Sequence, residues 1–173
     1  FGSLSAVFDA GVTHLKKVKG IQEHTAILLS MIPQLCSVYQ VSKFGARPLI
    51  QSTTDAGEYA VSLLSHQDYE HFYLICLDVN RRVIKAEHIC EGTVDSTPAY
   101  PRLIVEAALK NKAAFVVMAH NHPGGTLSPS ESDKEITNKV IAVLQSMDIG
   151  VIDHIIVVGN KFTSFCERGI MEN

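Results

Sequence analysis

The run AAFVVMA at residues 113–119 constrains the fold more than any other stretch of the chain. It is nearly all apolar and has the length of a strand. A strand with no polar side has to be covered on both faces. It therefore belongs inside a sheet with helices packed on each side, and the neighbouring segments must supply those layers.

They read that way. HFYLICLDV (71–79) and RVIKAEHI (82–89) are β-rich runs joined around Asn80 and Arg81, which predicts a hairpin. IDHIIVVG (152–159) predicts a closing strand. Ser52, Thr53 and Thr54 can cap a helix through 55–66, with Asp55 and Glu58 near its positive end. In PRLIVEAALKNK (101–112), Pro101 suits a first turn and Leu103, Ala107 and Lys110 follow helical spacing. The longest helical pattern is SESDKEITNKVIAVLQSMDI (130–149), with Gly150 placed to stop it. Residues 1–43 read as helical and irregular, with Pro33 interrupting or restarting a helix in ILLSMIPQLCSVYQV. The alternation of helix and strand implies an α/β fold, a mixed β-sheet flanked by helices. With 173 residues, 46% of them apolar and 19% charged, the chain can hold one globular domain with a real core plus a small appendage.

A formal net charge of −3 gives no broadly basic surface for nucleic acid, and the one basic cluster is HLKKVKG (14–20). The cysteines at 36, 76, 90 and 166 show no CxxC spacing, which excludes a cysteine-based zinc site and points to a reducing, cytoplasmic compartment. Cys76, inside FYLICLDV, is expected as a buried free thiol. No apolar run is expected to span a bilayer, and the first residues carry no signal-peptide pattern. A chain beginning at Phe1 is expected to be a piece of a longer protein.

The chemistry concentrates in AHNHPGGTLSPSESD (119–133). His120 and His122 stand two apart at a strand end, so in extended backbone both side chains leave one face while Asn121 points away. Gly124 and Gly125 let the chain turn, and Ser130 and Asp133, three apart, share one side of the helix start. Two imidazoles and a carboxylate suit Zn²⁺ with a fourth position left for water, although iron or manganese accept the same donors. The competing reading makes these loop histidines before a helix capped by Ser128, with Pro129 as its first residue. Hydrolysis would also need a base, and Glu70, Glu87 and Glu91 are the candidates that spacing alone does not separate. His154 neighbours or supports the site, or is a packed core histidine. His14, His24, His66, His71 and His88 have no ligand-like companions in sequence.

The pattern His120, Asn121, His122, Ser130, Asp133 resembles the JAMM (MPN+) metalloprotease signature. With ICEGTVDS, YPRLIVEAAL and DHIIVVG around it, the chain is similar more narrowly to the bacterial RadC-like family, over residues 47–173. The helical segment at 1–43 looks like the remnant of a helix-hairpin-helix region, with LKKVKGI (15–21) and the helix after it as its end and Gln22 in place of the second glycine. The resemblance implies a JAMM/MPN+-like, cytidine-deaminase-like three-layer architecture. It implies Zn²⁺ held by His120, His122 and Asp133. It selects Glu70, in EHFYLICLD, as the base and gives Ser130 the oxyanion hydrogen bond. The implied activity is cleavage of a peptide or isopeptide bond in a peptide or protein substrate of unknown identity. A homodimer and no membrane association are expected. Two other readings keep the fold: a DNA-repair binding module that contacts DNA through the upstream helices, and a domain whose metal is only structural.

Overall fold

A computed structural model of the chain describes residues 1–67, 69–92 and 100–171. Part of the ICEGTVDS segment (93–96) and the last two residues of the expected domain lie outside them. Five strands form one sheet: β1 (His71–Leu77), β2 (Val83–Glu91), β3 (Phe115–Asn121), β4 (Gly150–Val158) and β5 (Lys161–Ser164). Their order is β2-β1-β3-β4-β5, antiparallel except for the parallel β3–β4 pair. The helices are α1 (Leu4–Phe8), α2 (Gly11–Leu15), α3 (Glu23–Ser42), α4 (Thr53–Leu64), α5 (Tyr100–Lys110) and α6 (Glu131–Gln145). The mixed sheet flanked by helices is thus the α/β architecture that the apolar strand demands.

Alternation along the strands builds two cores. Phe72, Leu74, Cys76, Val116 and Met118 point at α5 and α6, against Ile104, Ala108, Val140 and Leu144. Ile75, Leu77, Val117, Ala119, Ile155 and Val157 point the other way, against Ala56, Tyr59, Ala60 and Leu64 of α4. β3 is buried from Val116 to Asn121, as its composition requires. Gly57 brings α4 close to the sheet: a Cβ there would lie 2.2 Å from the Phe162 ring. Cys76 is a buried free thiol, and burial pushes its pKa up to about 12.

The hairpin turns at Asn80 and Arg81, with the Asp78 carboxylate accepting from the backbone N–H of Asn80 and Arg82. Ser52 caps α4 in a reciprocal box with Asp55. Several expectations need correction. Pro33 neither interrupts nor restarts a helix, because α3 runs through it; one proline removes a single ladder bond, which the long run on either side outweighs. Gly150 does not stop α6. That helix ends at Gln145, and the chain reverses through Asp148 at φ 57° before Gly150 opens β4. Strand β5 carries no separate sequence signal. Finally, α3 is long and apolar enough, at 20 residues and mean hydropathy 1.2, to cross a bilayer by length and composition. Its Leu28, Met31, Leu35 and Val38 are exposed at helical spacing, and only Ala26 is buried.

Candidate metal centre

The site forms where β3 ends and α6 begins. His120 lies opposite Phe72 of β1 and beside Ile156 of β4, fully buried, with its ring stacked on Phe72. His122 stands just past the strand, its N–H donating to the Val157 carbonyl at 2.9 Å, so the ladder still fixes its backbone. The chain then turns back, with Gly125 in the left-handed region at φ 92°. Ser130 is the N-cap of α6. Its hydroxyl accepts from the Asp133 N–H at 3.1 Å, while its own N–H donates to Asp133 Oδ2 at 2.7 Å. The alternative with Ser128 as cap is therefore excluded: the cap is Ser130, and helix α6 starts at Glu131. The capping box does double duty, because it also fixes the Asp133 carboxylate.

That carboxylate faces both imidazoles. Asp133 Oδ1 is 3.2 Å from His120 Nε2, Oδ2 is 3.5 Å from His122 Nε2, and the two Nε2 atoms are 2.9 Å apart. Hydrogen bonding on the far side of each ring decides its protonation. A carbonyl can only accept, so the 2.8 Å contact between His122 Nδ1 and the Thr126 carbonyl places the proton on Nδ1. For His120 a longer chain gives the same result. The Thr137 hydroxyl donates to the Asp133 carbonyl at 2.5 Å, so it must accept from His154 Nδ1 at 2.7 Å. His154 Nε2 is then an acceptor, and it takes the proton of His120 Nδ1 at 2.8 Å. With both Nδ1 atoms protonated, the neutral form of each ring leaves its Nε2 free to coordinate. In those neutral tautomers both imidazoles carry the form that metal ligands use, and either a proton or a metal cation relieves the contact between the two Nε2 atoms.

The electrostatics agree. Burial pulls His120 down despite Asp133, and burial with the neighbouring His120 pulls His154 well down, so both rings stay neutral. For His122 the hydrogen bond to Asp133 wins over burial and raises its pKa. Burial alone would raise the Asp133 carboxyl, but hydrogen bonds from His120, His122 and Ser130 hold it far below the usual carboxylate range. A carboxylate kept ionised beside the imidazoles of His120 and His122 is a donor set suited to a divalent cation.

Among the three glutamates, the fold brings Glu70 to this centre. Its carboxylate and the ligand nitrogens of His120 and His122 all lie within 4.8 Å of one another. Glu87 is engaged elsewhere, by Asn111, Lys85 and Lys110. Glu91 belongs to a different cluster with His71 and His88. Asn121 points away from the ion site, as its strand position requires, but it has work there. Its Oδ1 accepts from the His71 N–H at 2.7 Å, and its Nδ2 donates to the carbonyls of Tyr69 at 2.8 Å and Gln67 at 3.3 Å. The amide thus clamps the backbone on both sides of Glu70. Sequence reasoning misses this clamp and the Thr137–His154 relay; the only trace there is that Thr137 stands one helical turn after Asp133.

Comparison with known proteins places these residues in context. The family model of the RadC-like JAB domain matches residues 50–170. A UPF0758 protein of Pseudoalteromonas translucida is 37% identical over 169 residues, which is 98% of this chain and 75% of the relative. UPF0758 proteins of Vibrio parahaemolyticus and Herminiimonas arsenicoxydans are 34% and 36% identical over the same shares. The shared name of these relatives states no activity.

Proposed function

The chain belongs to the RadC-like JAB domain family, and from that premise we propose that it is a zinc-dependent hydrolase of peptide or isopeptide bonds. The observation that carries this reading is the convergence of His120 Nε2, His122 Nε2 and the Asp133 carboxylate, with the two Nε2 atoms 2.9 Å apart and a hydrogen-bond partner behind each ring. His120, His122 and Asp133 would hold the ion. When bound, Zn²⁺ lowers the pKa of a coordinated water and polarises the carbonyl under attack.

The chain's own residues supply the rest. Glu70 takes the water proton on its carboxylate and returns it to the departing amine, while the Asn121 clamp keeps its backbone in place. Ser130 has two tasks. Its hydroxyl donates to Asp133 Oδ2 at 2.7 Å, and to reach the oxyanion it must rotate away. The Ser130 N–H holds the same oxygen throughout, so Asp133 stays oriented during that rotation. The buried relay behind His120 keeps that ring neutral as charge develops on the substrate.

The test is metal content of untagged protein purified without chelator. About one tightly held zinc per chain is expected, absent in His122→Ala. Glu70→Gln should retain the metal and lose hydrolysis of peptide- and isopeptide-linked fluorogenic substrates. Protein that takes up no zinc at this centre after reconstitution would overturn the reading.

A further inference from the structure

A second cluster of metal-ligating side chains lies across β1 and β2. His71, His88 and Glu91 each offer a donor atom within 4.8 Å of the others. His71 Nδ1 and His88 Nε2 are 2.9 Å apart, and Glu91 stands directly opposite His71 in the antiparallel ladder.

The backbone explains how they meet. Residues 88 and 91 are three apart, and in a regular strand they would point to opposite faces. The β1–β2 ladder slips between Phe72 and Tyr73: Phe72 pairs with Cys90, but Tyr73 pairs with His88, so Ile89 is the extra residue of a bulge. The slip reverses the parity of β2 beyond that point. His88 therefore joins Glu91 on the side of His71 and Tyr73, and the Tyr73 ring packs on His88 at 5.1 Å between centroids. Bulges re-aim side chains in this way near functional sites. His71 is half-buried, while His88 and Glu91 are exposed, so the donors are anchored on one side and open to solvent on the other.

We infer that His71, His88 and Glu91 form a second binding site for a divalent transition-metal ion, on the opposite face of the sheet from the first. Two imidazoles and one carboxylate select zinc, copper or nickel over magnesium or calcium. Its exposure to solvent makes the site weaker and more exchangeable than the buried one. Its place matters as well. His71 directly follows Glu70, and the Glu70 carbonyl accepts from the Gly92 N–H at 2.9 Å, next to Glu91. An ion here ties together the two strands that hold the Glu70 backbone.

The experiment is a zinc chloride titration of the chelator-treated full chain by calorimetry, with stoichiometry checked by equilibrium dialysis. Two classes are expected in the native chain. His122→Ala should abolish the tight class and leave the weak one. His71→Ala/His88→Ala should abolish the weak class and leave the tight one, and Glu91→Gln should weaken it about tenfold or more. If only the tight class is missing, the hydrolase reading fails while this site stands. A weak class that is absent, or that survives loss of both His71 and His88, overturns the second site. Because His88 and Glu91 are exposed, Glu91→Gln and a single His88→Ala keep the test decisive if the double variant does not fold.

Discussion

Replacing Asn121 with alanine tests whether the residue between the two histidines is a structural clamp for Glu70. The side chain is buried and makes three hydrogen bonds to backbone: 2.7 Å from the His71 N–H, and 2.8 and 3.3 Å to the Tyr69 and Gln67 carbonyls. Alanine strands the His71 donor and the Tyr69 acceptor. Counting only those two short bonds, and about 1–2 kcal/mol for each group left unsatisfied, the loss is about 2–4 kcal/mol. For a chain of this size that lowers Tm by about 4–16 °C. Zinc uptake should persist, because no Asn121 atom shares the ligand face, while hydrolysis should fall through kcat as the Glu70 backbone loosens. Differential scanning calorimetry, zinc content and kinetics on one variant separate these outcomes. An unchanged Tm would refute the clamp, and loss of zinc from a folded variant would refute its separation from the ion site.

Two further outcomes follow from the same geometry. Chelator-treated protein should lose stability as pH falls below about 6.5, because His120 and His154, whose folded pKa values are depressed, take up protons more readily when unfolded. Stability from such groups is present above the unfolded pKa and declines by up to about 1.4 kcal/mol per pH unit for each ring until the folded pKa is reached. His122 has a raised pKa and opposes this near neutrality, since its contribution is present at low pH and lost as pH rises through its folded value. Urea unfolding at pH 7, 6 and 5 checks the slope, and a flat profile from 6.5 to 5 would sink the neutral relay. Separately, Thr137→Val should weaken zinc about tenfold with the fold intact, because His154 Nδ1 loses the acceptor that sets the His120 tautomer. Unchanged affinity by competition with a chelator would show that the relay does not set it.

Much of this is legible in the amino-acid sequence alone. The apolar run of β3 dictates a sheet covered on both faces, and the HxH spacing puts two imidazoles at its end, because both depend on local periodicity. Ser130 and Asp133 are legible as a pair for the same reason. Contacts between distant segments are not. Phe72 lies opposite His120 and Asn121 reaches Tyr69 only through the β1–β3 pairing, across some fifty residues of sequence. The His88–Glu91 pairing is hidden for a different reason: a bulge changes strand parity, and nothing in RVIKAEHI marks where the extra residue falls. Resemblance picks Glu70 where spacing does not, and the fold brings it beside the two histidines while Glu87 is bound by lysines.

The tautomer relay also shows why this centre sits at a strand–helix junction rather than on a surface loop. Each proton position depends on an element that the core holds. Thr137 belongs to α6, His154 to β4 and His120 to β3, and all three are buried. Asp133 closes the circuit, because its carbonyl receives the Thr137 hydroxyl while its carboxylate faces the ion site. A shift of α6 against the sheet would therefore disturb the carboxylate and the His120 tautomer together. Val140 and Leu144, one and two turns further along α6, pack into the same core as Met118 and Phe72. On the proposed function, metal affinity would therefore depend on the apolar packing of α6 against the sheet. Shortening Val140 to alanine should loosen zinc binding, measured by chelator competition, although Val140 is not itself a ligand; unchanged affinity in a destabilised variant would break that link.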